Sequence, residues 1–215
     1  MAIVAPSLLS ADFLRLEAAC TMINQSEAEW FHLDVMDGRF VPNISFGLPV
    51  VQAIRKATKK VCDVHLMIVE PEKYIQAFKE AGADVLSVHV EASTHLHRTL
   101  QQIRSLGMKA GVAINPHTPL SAIEEVIEET DVFCLMSVNP GFGGQKFIPL
   151  TLEKISRLKD MILKKHASAL IEIDGGVTLE NAGSIVKAGA DVLVAGNTVF
   201  GSTDPLSTIA QLKNG

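Results

Sequence analysis

Short runs of β-branched and aliphatic residues alternate with longer mixed segments from one end of the chain to the other. The runs are Ile3–Pro6, Trp30–Asp34, Val61–Met67, Val85–Val90, Lys109–Ile114, Val132–Val138, Leu170–Asp174 and Asp191–Ala195. Between them lie segments such as Asp12–Glu27, Glu72–Ala81, Leu96–Leu106, Leu150–Lys165 and Leu179–Ala188. In the first of these, Phe13, Leu16, Ala19, Cys20 and Ile23 recur at the spacing of one helix face. The runs therefore predict strands and the mixed segments predict amphipathic helices. Asp12 and Thr178 are expected as N-caps, and Gly82, Gly107 and Gly189 sit where helices should stop.

Strand–helix alternation implies a parallel sheet, and eight such units imply closure. The expected fold class is α/β, a (β/α)₈ TIM barrel filling residues 1–215 as one domain, near the short end for that fold. An internal echo accompanies the units: Ala81-Gly82-Ala83-Asp84-Val85-Leu86 returns as Ala188-Gly189-Ala190-Asp191-Val192-Leu193. It fits either a twofold half-barrel or loop chemistry common to two αβ turns.

Composition narrows the function classes. Hydrophobic residues make up 47% and charged residues 20%, with a net charge of −5 and the two signs interspersed. No basic stripe marks a nucleic-acid partner, and no apolar run is long enough to cross a membrane. The apolar N-terminus has no basic stretch and is interrupted by Pro6, so it reads as strand and loop, not a signal peptide. Cys20, Cys62 and Cys134 are widely spaced and form no CxxC pair, which suits buried thiols in a reducing, cytoplasmic setting.

In such a barrel, reactive groups belong at the C-terminal ends of the strands. There the chain carries His32-Leu33-Asp34-Val35-Met36, Asp63-Val64-His65-Leu66-Met67 and Glu172-Ile173-Asp174. Alternation puts His32, Asp34 and Met36 on one strand face, and His65 with Met67 on the next. An HxD pair alone is commonly a satisfied core pair. With a second imidazole and a carboxylate from a third strand, it becomes a donor set for a divalent first-row metal. Core filling is the plainer reading of Met36, Met67 and Met136. His89 and Glu91 end the fourth strand; His89 is expected to orient the site. His95, His97, His117 and His166 fall on helices or loops, and Lys146 is expected to be solvated.

Glycines cluster after the last three strands, in Asn139-Pro140-Gly141-Phe142-Gly143-Gly144-Gln145, Asp174-Gly175-Gly176 and Gly196-Asn197. Turns need glycine anyway, but on adjacent units these loops make a phosphate grip, because glycine lets backbone N–H groups approach the oxygens. The Pro140–Gly144 loop is also placed to act as a lid.

At these residues the sequence resembles the ribulose-phosphate 3-epimerase family. The matching motifs, in order, are Ala5-Pro6-Ser7-Leu8-Leu9-Ser10, His32-x-Asp34-x-Met36-Asp37-Gly38, Phe40-Val41-Pro42-Asn43, Asp63-x-His65-Leu66-Met67, the Asn139–Gln145 loop and Asp174-Gly175-Gly176. The resemblance implies a ribulose-phosphate-binding barrel that interconverts ribulose 5-phosphate and xylulose 5-phosphate with one divalent ion; a His₂Asp₂ donor set suits zinc, iron(II), manganese or cobalt alike. The resemblance makes His32, Asp34, His65 and Asp174 metal ligands, Asp34 the proton acceptor and Asp174 the proton donor. Ser7, His65, Met36, Met67 and Met136 become substrate contacts; Gly141, Phe142, Gly143, Gly144, Gly175, Gly176, Gly196 and Asn197 become phosphate contacts. Asn197 departs from the serine of many relatives. The partner implied is a pentulose 5-phosphate, with no nucleic acid or membrane, and a homo-oligomer is expected.

The chemistry agrees with that distribution. Inverting C3 beside a carbonyl means removing a proton on one face and returning one on the other, while charge grows on the C2 oxygen. Two opposed carboxylates and a Lewis acid meet those demands. A 3-epimerase of a 2-ketohexose 6-phosphate, such as allulose 6-phosphate, is the nearest competing reading. A non-catalytic phosphosugar-binding barrel is the alternative of another class. Asp34-Val35-Met36-Asp37 lacks the lysine of the related decarboxylases, and His32-x-Asp34 is not the HxH strand of barrel hydrolases.

Overall fold

A computed structural model describes residues 1–214. The strands are β1 (Ile3–Pro6), β2 (Trp30–Met36), β3 (Val61–Met67), β4 (Val85–His89), β5 (Lys109–Ile114), β6 (Val132–Met136), β7 (Leu170–Asp174) and β8 (Val192–Ala195). All are parallel, in the order β1-β8-β7-β6-β5-β4-β3-β2. The ring closes between β1 and β2 through a Ser7–His32 bridge and a hydrogen bond from Glu29 N to the Val4 carbonyl at 3.2 Å. The helices are α1 (Leu16–Gln25), α2 (Leu48–Ala57), α3 (Ile75–Ala81), α4 (Leu96–Ser105), α5 (Leu150–Lys164), α6 (Ala182–Ala188), α7 (Asn197–Phe200) and α8 (Pro205–Asn214). The expected TIM barrel is the observed fold.

Alternation along each strand builds two different environments. Outward residues such as Phe31, Leu33, Val64, Leu66, Leu86, Val88, Phe133 and Ile171 are fully buried against the helices. Truncating one, Phe31→Ala for example, costs roughly 3–5 kcal/mol. Inward residues sort by height. At the floor, Ala5, Trp30, Val85, Val132 and Val192 form an apolar plug, and Val194 continues that cluster up to the mouth beside Asp174. Above it the inward positions turn polar: His32, Asp34, Asp63, His65, Ser87, His89 and Glu172 are all buried. The site thus rests on a dry floor, and that is what makes its charges consequential.

Several boundaries moved for local reasons. Asp12 does cap, accepting from Leu14 N at 3.0 Å, but it caps a 3₁₀ turn, Phe13–Arg15, that precedes α1. Thr178 is not the cap of α6. Its N–H donates to the Asn181 side chain at 2.8 Å, and Asn181 donates to the Gly176 carbonyl, so the helix starts at Ala182. β2 runs to Met36. β6 stops at Met136, because Ser137 turns its N–H and hydroxyl to the Asp174 and Gly175 carbonyls. Between β5 and β6 the chain makes 3₁₀ turns, Leu120–Ala122 and Glu124–Glu129, in place of a helix.

The sequence echo has a local cause. Gly82 and Gly189 end α3 and α6 in the left-handed region. Asp84 then accepts from Cys62 N at 2.8 Å and pairs with Arg55 at 2.7 Å, while Asp191 accepts from Ile171 N at 2.9 Å and pairs with Lys159 at 3.2 Å. Asp131 does the same for Ala110 N at 2.8 Å without any echo around it. One αβ-turn solution, a carboxylate that caps the start of the preceding strand, recurs around the barrel floor.

Candidate active site

Three strands bring their polar ends to one point in the barrel mouth. Register sets Asp34 beside His65 and His32 beside Asp63. His32 Nε2 lies 3.3 Å from Asp34 Oδ1 and 3.9 Å from Asp174 Oδ2; His65 Nδ1 lies 3.3 and 3.4 Å from the same two oxygens. A tetrahedral ion with bonds of roughly 2.0–2.2 Å places its ligands about 3.3–3.6 Å apart. His32 Nε2 and His65 Nδ1 are buried and, among the described residues, have no hydrogen-bond partner. The four side chains predicted to converge do so, and their donor atoms fit a divalent cation.

The electrostatics ask for positive charge at this point. Burial alone would lower the His65 pKa, but Asp174 and Asp34 outweigh it and lift the value to about 9. His32 is also raised: burial opposes, and Asp34 and Asp63 prevail. Burial would raise the Asp34 pKa, yet His32 and His65 hold it well below the usual carboxylate range. Protons on the histidines answer the two carboxylates, and a divalent cation held by the same four side chains would take their place. Asp34 turns its other oxygen to the Ser7 hydroxyl, which donates at 2.5 Å.

A second polar layer lies directly beneath. Asp63 Oδ2 is 2.5 Å from His32 Nδ1, and Glu172 Oε1 is 3.5 Å from the same nitrogen. Burial, then the neighbouring Asp63 charge, push the Glu172 pKa up to about 8. A spacing of 2.5 Å holds a proton and leaves no room for an ion, so this layer serves the histidine and is not a second metal site.

Over the cation position opens a cavity of about 230 Å³, smaller than the roughly 300–1,000 Å³ that suits drug-sized ligands. Met36, Met67 and Met136 line one part of it. Gly141, Phe142, Gly143, Gly144, Gly175, Gly176, Gly196 and Asn197 line another, and Ser7, Asp34 and Asp174 border it as well, whereas His65, expected as a substrate contact, is not in its lining. Among the described residues no lysine or arginine lines it, so an anion there must rely on backbone N–H groups and side-chain amides and hydroxyls. Three glycines of the lining pair a positive φ with no room for a Cβ; Gly176, at φ +64°, would set one 2.5 Å from the Phe147 backbone nitrogen. Gly175 has φ +118° and a Cβ there would lie 2.3 Å from Val138; Gly144 has φ +73° and a Cβ would lie 2.8 Å from the Asn197 amide nitrogen. Ser10 donates to Asn197 Oδ1 at 2.7 Å, leaving the Asn197 NH₂ to face the glycine loop as a donor. Asn43 ties that loop down through the Gly141 carbonyl at 2.9 Å. Lys146 is exposed, as expected.

Motif reading did not give Asp63, Glu172 or Ser10 a role. Parity was the available signal for the first two, since Asp63 shares a face with His65, and Glu172 with Asp174. Ser10 lies in the loop after β1, and only the fold brings it to Asn197.

A parallel barrel with a His/Asp cluster able to hold a cation beneath a glycine-lined mouth has the architecture of the phosphosugar-converting TIM barrels. A family model described as the ribulose-phosphate 3 epimerase family matches residues 3–200. The chain belongs to the ribulose-phosphate 3-epimerase family. It is 53% identical over 99% of its length to a ribulose-phosphate 3-epimerase of Synechocystis sp., covering 93% of that protein. It is 52% identical over 98% of its length to that of Bacillus subtilis, covering 97%. Among solved structures, KGPDC from Streptococcus mutans superposes with a TM-score of 0.74 at 11% identity, covering 100% of this chain and 96% of that one, which concerns the fold alone.

Proposed function

We propose that the chain interconverts D-ribulose 5-phosphate and D-xylulose 5-phosphate, with Asp34 and Asp174 moving the C3 proton. The observation that carries this is two carboxylates from β2 and β7 meeting one pair of histidines under a glycine-lined cavity of about 230 Å³. His32, Asp34, His65 and Asp174 would hold one divalent ion, whose identity among zinc, iron(II), manganese and cobalt this donor set leaves open. When bound, the ion supplies a Lewis acid that stabilises the negative charge growing beside C3.

The chain's own groups divide the remaining work. Asp34, kept ionised, is suited to accept the proton, and the Ser7 hydroxyl on Oδ2 fixes the carboxylate plane. Asp174 turns one oxygen to the histidines and has the other for the opposite face of the sugar. Met36, Met67 and Met136 bring soft apolar surface against the reacting carbons and exclude water without offering a proton. The glycine loops and the Asn197 amide grip the phosphate at the far end, so the sugar lies across the cation position. Association into a homo-oligomer is supported by exposed apolar side chains beside the mouth, Leu14 and Ile44 among them, and light scattering reads it directly. Three free, buried cysteines support a reducing, cytoplasmic setting.

The deciding experiment follows solvent deuterium into C3 of ribulose 5-phosphate, before and after chelation and with allulose 6-phosphate alongside. Incorporation with xylulose 5-phosphate formation, lost on chelation, is expected. Faster exchange of the hexulose phosphate, or binding without exchange, would overturn the reading.

A further inference from the structure

One chain of buried polar groups leaves the site and ends near the surface, and the chemistry above makes no use of it. His65 presents Nδ1 to Asp34 and Asp174, and its other nitrogen, Nε2, lies 2.9 Å from His89 Nε2. His89 is fully buried, and its Nδ1 lies 3.1 Å from Glu91 Oε2. The second oxygen of Glu91 accepts from Asn115 N at 2.8 Å and from the Thr118 hydroxyl. Phe40 packs on the His89 ring with centroids 4.6 Å apart, which limits rotation of the imidazole.

Hydrogen-bond roles along this chain can run in only one direction. An ionised carboxylate accepts and never donates, so the proton between Glu91 and His89 sits on His89 Nδ1. A neutral His89 then has a bare lone pair at Nε2, and the proton in the N···N contact must belong to His65 Nε2. With its proton there, a neutral His65 is left with a lone pair on Nδ1, aimed between Asp34 and Asp174. Without Glu91 the direction is no longer fixed. His89 can reverse its tautomer and donate to His65 Nε2, which puts the His65 proton on Nδ1 and blocks that atom as a ligand. His32 obtains the same result directly, through Asp63 at 2.5 Å.

We propose that Glu91, acting through His89, is a positioning residue that holds His65 in the tautomer able to ligate a divalent cation. This rests on the cation reading of the His32, Asp34, His65 and Asp174 cluster and extends it to the loop after β4 and the Asn115–Thr118 turn. Outer partners of metal-bound histidines typically change metal affinity by about 10–100-fold.

The test titrates Co²⁺ into the metal-free full-length protein, reading the visible absorption of the complex against a competing chelator. Long-range ¹⁵N–¹H correlations of the zinc-loaded protein report the His65 tautomer independently. Glu91→Gln, whose amide can donate to His89 Nδ1, is expected to weaken Co²⁺ by at least tenfold. His89→Leu is expected to do the same, because it leaves His65 Nε2 without an acceptor. His89→Gln keeps an amide oxygen for His65 Nε2–H and an NH₂ for Glu91, so it should stay within about threefold of wild type. A role in folding alone would lower the unfolding midpoint of all three variants and leave their Co²⁺ affinity together. Tight Co²⁺ binding by wild type with Glu91→Gln within twofold, or His89→Gln as weak as His89→Leu, overturns the relay. Should Glu91→Gln not fold, the two His89 variants decide. Absence of Co²⁺ binding by the wild type itself overturns the cation reading and the relay with it.

Discussion

Glu172 sits under the site with its carboxyl fully buried, 3.5 Å from His32 Nδ1 and close to Asp63. Its pKa, about 8 against an ordinary 4.5, ties folding to pH. The folded state binds this proton more tightly than the unfolded chain, so the stabilisation is complete below pH 4.5. It drains away as pH rises toward 8 and is gone beyond it. Each unit of pH in that window costs about 1.4 kcal/mol. The metal-free wild type should therefore lose about 3 kcal/mol from this group between pH 6 and pH 8.5, while Glu172→Gln, which cannot titrate, loses none of it. Urea unfolding of both proteins after chelation, at pH 6, 7, 8 and 8.5, gives the difference directly. The variant should gain on the wild type as pH rises and level off above pH 8. A difference independent of pH would mean that Glu172 is already ionised in the fold, with some other group neutralising the layer, and the reasoning would fail.

Asp34→Asn and Asp174→Asn should each lower turnover on ribulose 5-phosphate by on the order of 10²–10⁴, the usual worth of a general acid or base, and near-wild-type rates in either would remove the proton-transfer roles. Asn197→Ala takes a donor from the phosphate end and should raise KM about tenfold with kcat nearly unchanged, whereas Asn197→Ser keeps a donor and should stay close to wild type; steady-state kinetics separates the two. Metal affinity should fall at least tenfold for each pH unit below about 9, because His65 must shed its proton before it can ligate, and a flat profile in a competition titration would contradict this.

The barrel was legible because alternation of period two and period three to four survives in a single chain, and eight repeats of it admit few topologies. The convergence of His32, Asp34, His65 and Asp174 followed from the same parity, applied to strand ends. Parity states which way a side chain points, but not which neighbour it meets. Asp63 faces inward on that argument, yet its 2.5 Å contact with His32 depends on the β2–β3 register, which closure of the whole ring fixes. Asn197 shows the same limit at longer range. Its amide is aimed by Ser10, 187 residues away in sequence, so its fitness to replace a serine cannot be read locally. The segment between β5 and β6 departs from strict alternation, its apolar residues Leu120, Ile123, Val126 and Ile127 being buried by 3₁₀ turns that cover the barrel without a full helix.

The two histidines of the site are equivalent in the motif and unequal in the fold. His32 has a carboxylate directly on the nitrogen that faces away from the cation position, and such a partner raises the basicity of the opposite nitrogen. His65 has a neutral imidazole there, with the carboxylate one residue further out. Protonated Glu172 keeps the layer beneath from carrying two anions, so Asp63 alone acts on His32. A cation held there would meet the more basic nitrogen on the β2 side, while on the β3 side the proposed Glu91–His89 relay would set the donor. His32, Asp34, His65 and Asp174 would together hold a divalent ion, with His32 as the stronger imidazole donor and His65 as the weaker, and that ion would supply a Lewis acid.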